Sequence, residues 1–263
     1  MSDISPEEKL FCKLAIKYGI LSRIEVKECL KRKKRELSSK PLSVFLIEKG
    51  YLTDEKLDVI ISIHEKNVQA FFDRANQYQS DKDFEKAISD YTRVLKSNPY
   101  HTDAYLSRGN GYVGLQKYEE ALNDFNKVLE YDPDNAVAYA NRGIAYNSLN
   151  NIDQALQDFN AAIELKPDYA KAFYFRGVAY HFQKDYQNAL KDYSTALKLD
   201  KKFADAYNNR GVVYSLLKQY DEAIEDWENA LKMDPSFTSV KLNLQVVKRR
   251  RDMLREKQAG EKK

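Results

Sequence analysis

The sequence predicts an all-α protein built as a solenoid of stacked helical hairpins, and three observations carry that prediction. Tyr78, Tyr112, Tyr146, Tyr180 and Tyr214 recur at an interval of 34 residues, as do Ala87, Ala121, Ala155, Ala189 and Ala223. Breakers are few, nine Gly and six Pro in 263 residues, while helix formers such as Ala, Leu, Glu and Lys are plentiful. Within each period, apolar and small positions follow helical spacing in two blocks of about a dozen residues. A polar turn such as Gln116-Lys117 or Lys184-Asp185 separates the blocks.

Residues 1–67 obey a different rule. AIKYGILSRIEVKECL and LIEKGYLTDEKLDVII align with Gly19 and Gly50 at a separation of 31, an internal duplication. In each copy a helix ends at Gly and Ser22 or Thr53 caps a second helix, with Glu25 completing a capping box in the first copy. Leu21, Val26 and Leu30 match Leu52, Leu57 and Ile61, so these side chains are expected in one shared four-helix core. No Pro or Gly interrupts Thr53 through Ser80, so the last helix of this module is expected to run directly into the first repeat helix. A bend near Asn67 is the alternative.

Five units tile the next stretch: 68–101, 102–135, 136–169, 170–203 and 204–237. Each has a small residue in its first helix (Ala75, Gly109, Gly143, Gly177, Gly211) and a large aromatic in its second (Tyr91, Phe125, Phe159, Tyr193, Trp227). Small residues let two helices approach, and the aromatics fill the space around that contact. Pro99, Pro133, Pro167 and Pro235 close four units, with Lys201 at the remaining place. A lone hairpin cannot bury these faces, so the units must stack, with first helices lining one concave surface. Residues 238–263 complete the chain: Val240, Leu244 and Val247 suit a capping helix over the last repeat, followed by a basic tail.

The pattern of 68–237 resembles the tetratricopeptide repeat family. That resemblance implies a right-handed superhelix that holds a peptide or a partner helix in its groove, in proteins that are mostly adaptors without chemistry of their own. One further pair repeats in every unit: Arg74, Arg108, Arg142, Arg176 and Arg210 precede the small residue, and Asp90, Asp124, Asp158, Asp192 and Asp226 precede the aromatic. Five identical copies point to scaffold, a bridge between helices within a unit or to its neighbour, because a partly buried Arg needs a carboxylate partner.

The register implied by the resemblance assigns the groove lining, and that lining varies from unit to unit. The fourth unit presents Lys171, Tyr174, Phe175, His181 and Phe182; neighbouring units present Asp205, Asn208, Asn209, Ala140, Asn141 and Asn147. Exposed aromatics on a groove mark a contact site, since a covering partner removes their apolar surface from water. The bland alternative is that Tyr174 and Phe182 pack as core. Some family members clamp a terminal carboxylate with two Lys, two Asn and an Arg. Asn110, Asn141 and Lys171 match three of those places, but Leu106 and Phe175 replace two cations, so no carboxylate clamp is expected. The asparagines remain able to bond a peptide backbone.

The 1–67 module resembles the paired-motif N-terminal domain of type II secretion and pilus ATPases, some of which bind cyclic di-GMP. At the ligand-related places this chain has Leu10, Cys12 and Lys33 in one copy and Pro41, Ser43 and His64 in the other, so nucleotide binding is not expected.

Other function classes find little support. The formal net charge is +3, divided as +3 over 1–67, −6 over 68–237 and +6 over 238–263. The Lys248-Arg249-Arg250-Arg251 run is read as a solvated face rather than a nucleic-acid site. No run of about 18 apolar residues occurs, and MSDISPEEKL carries acids where a secretory leader needs a basic cap, so a cytoplasmic location is expected. Cys12 and Cys29 form neither a disulfide framework nor a zinc set. Gly109-Asn110-Gly111-Tyr112-Val113-Gly114 spells a dinucleotide fingerprint but lies inside a helix of the repeat register, without the strand that motif needs. His64, His101 and His181 lack ligand spacing, so neither an enzyme nor a cofactor is expected. The leading reading is an adaptor for a protein or peptide partner. The alternatives are a self-assembling structural protein, or a nucleotide- or nucleic-acid-responsive sensor acting through the N-terminal module.

Overall fold

The computed structural model describes residues 5–36 and 41–260, and all regular structure among them is helical, in fourteen helices. Residues 1–4, on which the reading of the leader partly rests, the 37–40 stretch of the N-terminal module and the end of the basic tail at 261–263 lie outside the described residues. The chain forms two compact units, Met1–Arg108 and Gly109–Lys263.

The first unit holds α1 (Pro6–Lys17), α2 (Arg23–Arg35), α3 (Leu42–Glu48), α4 (Asp54–Ser80), α5 (Phe84–Ser97) and the start of α6 (Thr102–Gly114). Ser22 Oγ accepts from the Glu25 amide and the Glu25 carboxylate accepts from the Ser22 amide, the capping box expected from sequence. Ser5 and Glu8 make a second one on α1. Gly19 (φ +68°) and Gly50 (φ +73°) take left-handed backbone after α1 and α3. There the Ile20 amide reaches the Ala15 carbonyl and the Tyr51 amide the Leu46 carbonyl, each at 2.9 Å. Pro41 offers α3 no cap, and a distant carboxylate takes over that task. Glu8 Oε1 accepts from the Leu42 amide at 3.0 Å and from Lys33 Nζ at 2.7 Å, tying α1 to α2 and α3.

Cys12 and Cys29 are free thiols buried with Val26, Phe45, Leu46, Leu52 and Ile60. Burial pushes the Cys29 thiol up to about 11. One core expectation is corrected. Ile61 is 44% exposed, and its neighbour Ile60 is the buried residue of that turn. The duplication sets Ile60 opposite Cys29, so the helix phase that buries Cys29 also buries Ile60 and turns Ile61 outward. α4 is one helix of 27 residues and packs Ala75 and Phe72 with Tyr91 of α5, so the module's last helix and the first repeat helix are the same helix.

The second unit continues from α6 through α7 (Tyr118–Tyr131), α8 (Ala136–Ser148), α9 (Ile152–Leu165), α10 (Ala170–Phe182), α11 (Tyr186–Leu199), α12 (Ala204–Leu216), α13 (Tyr220–Met233) and α14 (Thr238–Gly260). Helices consecutive from α7 to α14 pack on one another, and the first helices α8, α10 and α12 also lie side by side. A Cβ on Gly109, Gly143, Gly177 or Gly211 would stand 2.6–2.9 Å from the ring of Phe125, Phe159, Tyr193 or Trp227, which is why the small position repeats. Within each hairpin the first helix ends in a left-handed residue that is not glycine: Lys82, Gln116, Asn150, Lys184 and Lys218 all have φ near +60°. The amide after each bonds back to the carbonyl of the repeated Tyr, as Asp185 does to Tyr180 at 2.9 Å. On α14, Val240 and Val247 are buried and Leu244 packs with them against Trp227, while Lys248 pairs with Glu228 and Arg255 with Asp221, both at 2.8 Å.

Candidate partner-binding trough

The repeated charges build a frame. All five aspartates are buried, and in four hairpins Nε and Nη2 of the Arg each donate to one carboxylate oxygen of the Asp 16 residues later, at 2.6–2.9 Å. Arg108 and Asp124 fall on opposite sides of the division between the two units. The third guanidinium nitrogen, Nη1, reaches the second helix of the preceding hairpin. Arg108 donates to Thr92 Oγ1, Arg142 to Asn126 Oδ1, Arg176 to Asn160 Oδ1 and Arg210 to Ser194 Oγ, at 2.6–3.0 Å. Each Arg also lies over the ring three residues before it, as Arg176 does over Phe173 at 5.5 Å. The bridge is therefore both within a unit and to its neighbour.

On the other side of the same first helices lies a trough of about 630 Å³. Its lining comes from α6, α8, α10 and α12 and from the residues that start α10 and α12. Asn110, Asn141, Lys171, Tyr174 and Phe175 come together in it. Asn141 Nδ2 donates to Asn110 Oδ1 at 2.8 Å, leaving the Asn110 amide hydrogens and Asn141 Oδ1 available. Tyr174 and Phe175 are half-buried, and both also pack on core residues, Tyr174 beside Tyr193 and Phe175 beside Phe159. Asn209 Nδ2 donates to the Tyr174 hydroxyl at 3.0 Å. Burial pushes the Tyr174 phenol up to about 12, with Asp205 adding to the shift.

His181 and Phe182 are not among the residues lining the trough. His181 meets Tyr186 edge-on at 5.8 Å, and burial lowers its pKa. Phe182 is 68% exposed on the last turn of α10. Tyr169 and Phe203, outside the lining expected from sequence, also line the trough, with Phe203 4.6 Å from the Tyr174 ring. They stand at the N-caps of α10 and α12 and make no side-chain cap, where the equivalent Asn135 caps α8 through the Ala138 amide. An aromatic at a capping position is the signal that would have found them.

Hairpins held by a repeated polar frame, with a varied lining on their first helices, define a repeat scaffold. The chain belongs to the tetratricopeptide repeat family. Sequence models described as Tetratricopeptide repeat match 68–101, 136–169 and 204–237, and one described as TPR repeat matches 109–149 and 180–218. No curated protein matches the chain in sequence. Among solved structures, a tetratricopeptide repeat protein from Parabacteroides merdae is 24% identical over 92% of this chain and 98% of its own, with a TM-score of 0.60. TTC0263, a thermophilic TPR protein of Thermus thermophilus, is 20% identical over 68% of this chain and 98% of its own, with a TM-score of 0.61. YrrB, described as a TPR protein with an unusual peptide-binding site, is 24% identical over 70% of this chain and 95% of its own, with a TM-score of 0.52. These likenesses are of fold. Among the described residues no helix is long and apolar enough to cross a membrane.

Proposed function

We propose that the protein is an adaptor that holds a peptide or partner helix of another protein in the trough. Tyr174 and Phe175 anchor it there, with Tyr169 and Phe203 beside them, and Asn110, Asn141 and Lys171 align it. Phe182 and His181 extend the contact at the end of α10. The observation that carries this reading is the division of labour on α10. Arg176 and Gly177 repeat in kind along the chain and serve packing, while Lys171, Tyr174 and Phe175 are particular to this hairpin and line a concavity. Half-buried aromatics in a concave surface gain burial only when something covers them. The fold the chain shares with YrrB agrees with a peptide-binding role.

The test is photo-cross-linking in native extract. A benzophenone side chain at Val137, in the trough, should capture a partner, whereas the same group at the exposed Gln187 on α11 should not. Equal capture from both positions, or capture from Gln187 alone, would move the site elsewhere.

A further inference from the structure

Two charged side chains line the trough, Lys171 and Asp205. They are one repeat apart in sequence, so they stand at equivalent places on α10 and α12. Both are exposed, and neither has an ion-pair partner among the described residues. Opposite charges that neighbour one another without pairing leave each free to meet a charge supplied by an occupant. Between and beside them lie the rings of Tyr169, Tyr174, Phe175 and Phe203.

The amide pair at the other end of the trough argues for the backbone form of that occupant. Asn110 and Asn141 keep donors and an acceptor unused after bonding each other. An extended strand has free N–H and C=O groups to meet them, whereas a helix has already paired its own. Packed helix axes lie about 10 Å apart, and an extended polyproline-II chain, which also leaves its backbone groups unpaired, advances about 3.1 Å per residue and returns to the same side every third residue, so one repeat of the trough corresponds to about three residues of ligand.

Building on the adaptor reading, we infer that the trough takes an extended, polyproline-II-like internal segment carrying one acidic and one basic residue about three positions apart, with an apolar residue between them. The acidic side chain meets Lys171, the basic one meets Asp205, and the apolar one rests on the aromatic floor. Leu106 and Phe175, where a terminal-carboxylate clamp would have cations, leave nothing that requires a free C-terminus. Opposite charges on adjacent repeats also fix the direction in which the segment runs, because reversing it sets like charges together.

The experiment uses the full chain and nine-residue peptides, acetylated and amidated so that their termini carry no charge. The set places acid, apolar residue and base in either order, with two-acid and two-base controls. Wild type should prefer one order over the other by up to about fivefold per charge, with the preference fading in high salt. Because both side chains are exposed, Lys171→Glu and Asp205→Lys should leave helical content and melting unchanged, and the double variant should reverse the order preference. Equal affinity for both orders, or a preference the double variant does not reverse, overturns the inference. If no peptide binds while the Val137 cross-link forms, this inference fails and the adaptor reading stands; if the cross-link also fails, both fall. Self-association in sedimentation equilibrium that the double variant abolishes would identify the occupant as a second copy and overturn the inference as well.

Discussion

The first hairpin and the later ones use the same arginine for different amounts of work. Arg74 makes two bonds to Asp90 and is 50% exposed, while Arg142, Arg176 and Arg210 add a third bond to the preceding hairpin and are 19–20% exposed. The difference is one of position. A first repeat has no earlier second helix to reach, so its Arg keeps one edge in water. A pair that looks identical in sequence is thus a clip inside one hairpin at the start of the stack and a three-helix lock further along.

The sharpest break of this comparison is at the aspartate. Asp158→Ala strands Arg142 with its strongest partner gone and should cost about 3–5 kcal/mol in chemical denaturation. Asp90→Ala, beside the half-exposed Arg74, should cost clearly less. Equal losses would show that the deeper burial of Arg142 adds nothing to the cost of stranding it. Gly143→Ala comes next, at about 1–3 kcal/mol, because the Cβ would sit 2.7 Å from Phe159 Cε1, a ring atom with no slack. A melting temperature close to wild type would mean the ring can move after all.

On the trough side of these same helices, Phe175→Ala should weaken partner capture by about tenfold, alongside some loss of melting temperature from its packing on Phe159. Phe182→Ala, at a largely exposed site, should change both much less. No loss of capture at all from Phe182→Ala would end the contact before the last turn of α10. Lys184→Gly relieves a left-handed residue and should stabilise by about 1 kcal/mol, read as a higher denaturation midpoint. The smallest effect concerns Tyr174. Its phenol is raised from 10.0 to about 12 in the folded chain, so the neutral form is favoured on folding. Its contribution is full below pH 10 and is lost as pH rises towards 12. Tyr174→Phe should remove one late-titrating phenol from the ultraviolet absorbance titration; an unchanged curve would contradict the assignment.

Much of the frame could be read from the sequence because it repeats by identity: Arg, small residue, Asp and aromatic return in every unit. The third bond could not, since Thr92, Asn126, Asn160 and Ser194 share only a capacity to accept a hydrogen bond, and a search for like residues passes over them. Tyr169 and Phe203 escaped because they stand at the junction between hairpins, outside the first-helix register. Alignment of the two copies places Ile61 in the core, whereas the phase of α4 buries Ile60. The trough lining is legible for the opposite reason to the frame. It stands out where the period is broken, and a single sequence reports that break without naming what fills it.

Because α4 runs unbroken from Asp54 to Ser80, the duplicated module and the opening hairpin are mounted on a common axle. They should tumble with one correlation time in solution, and a torque applied to either would arrive at the other through backbone hydrogen bonds rather than through a pliable joint.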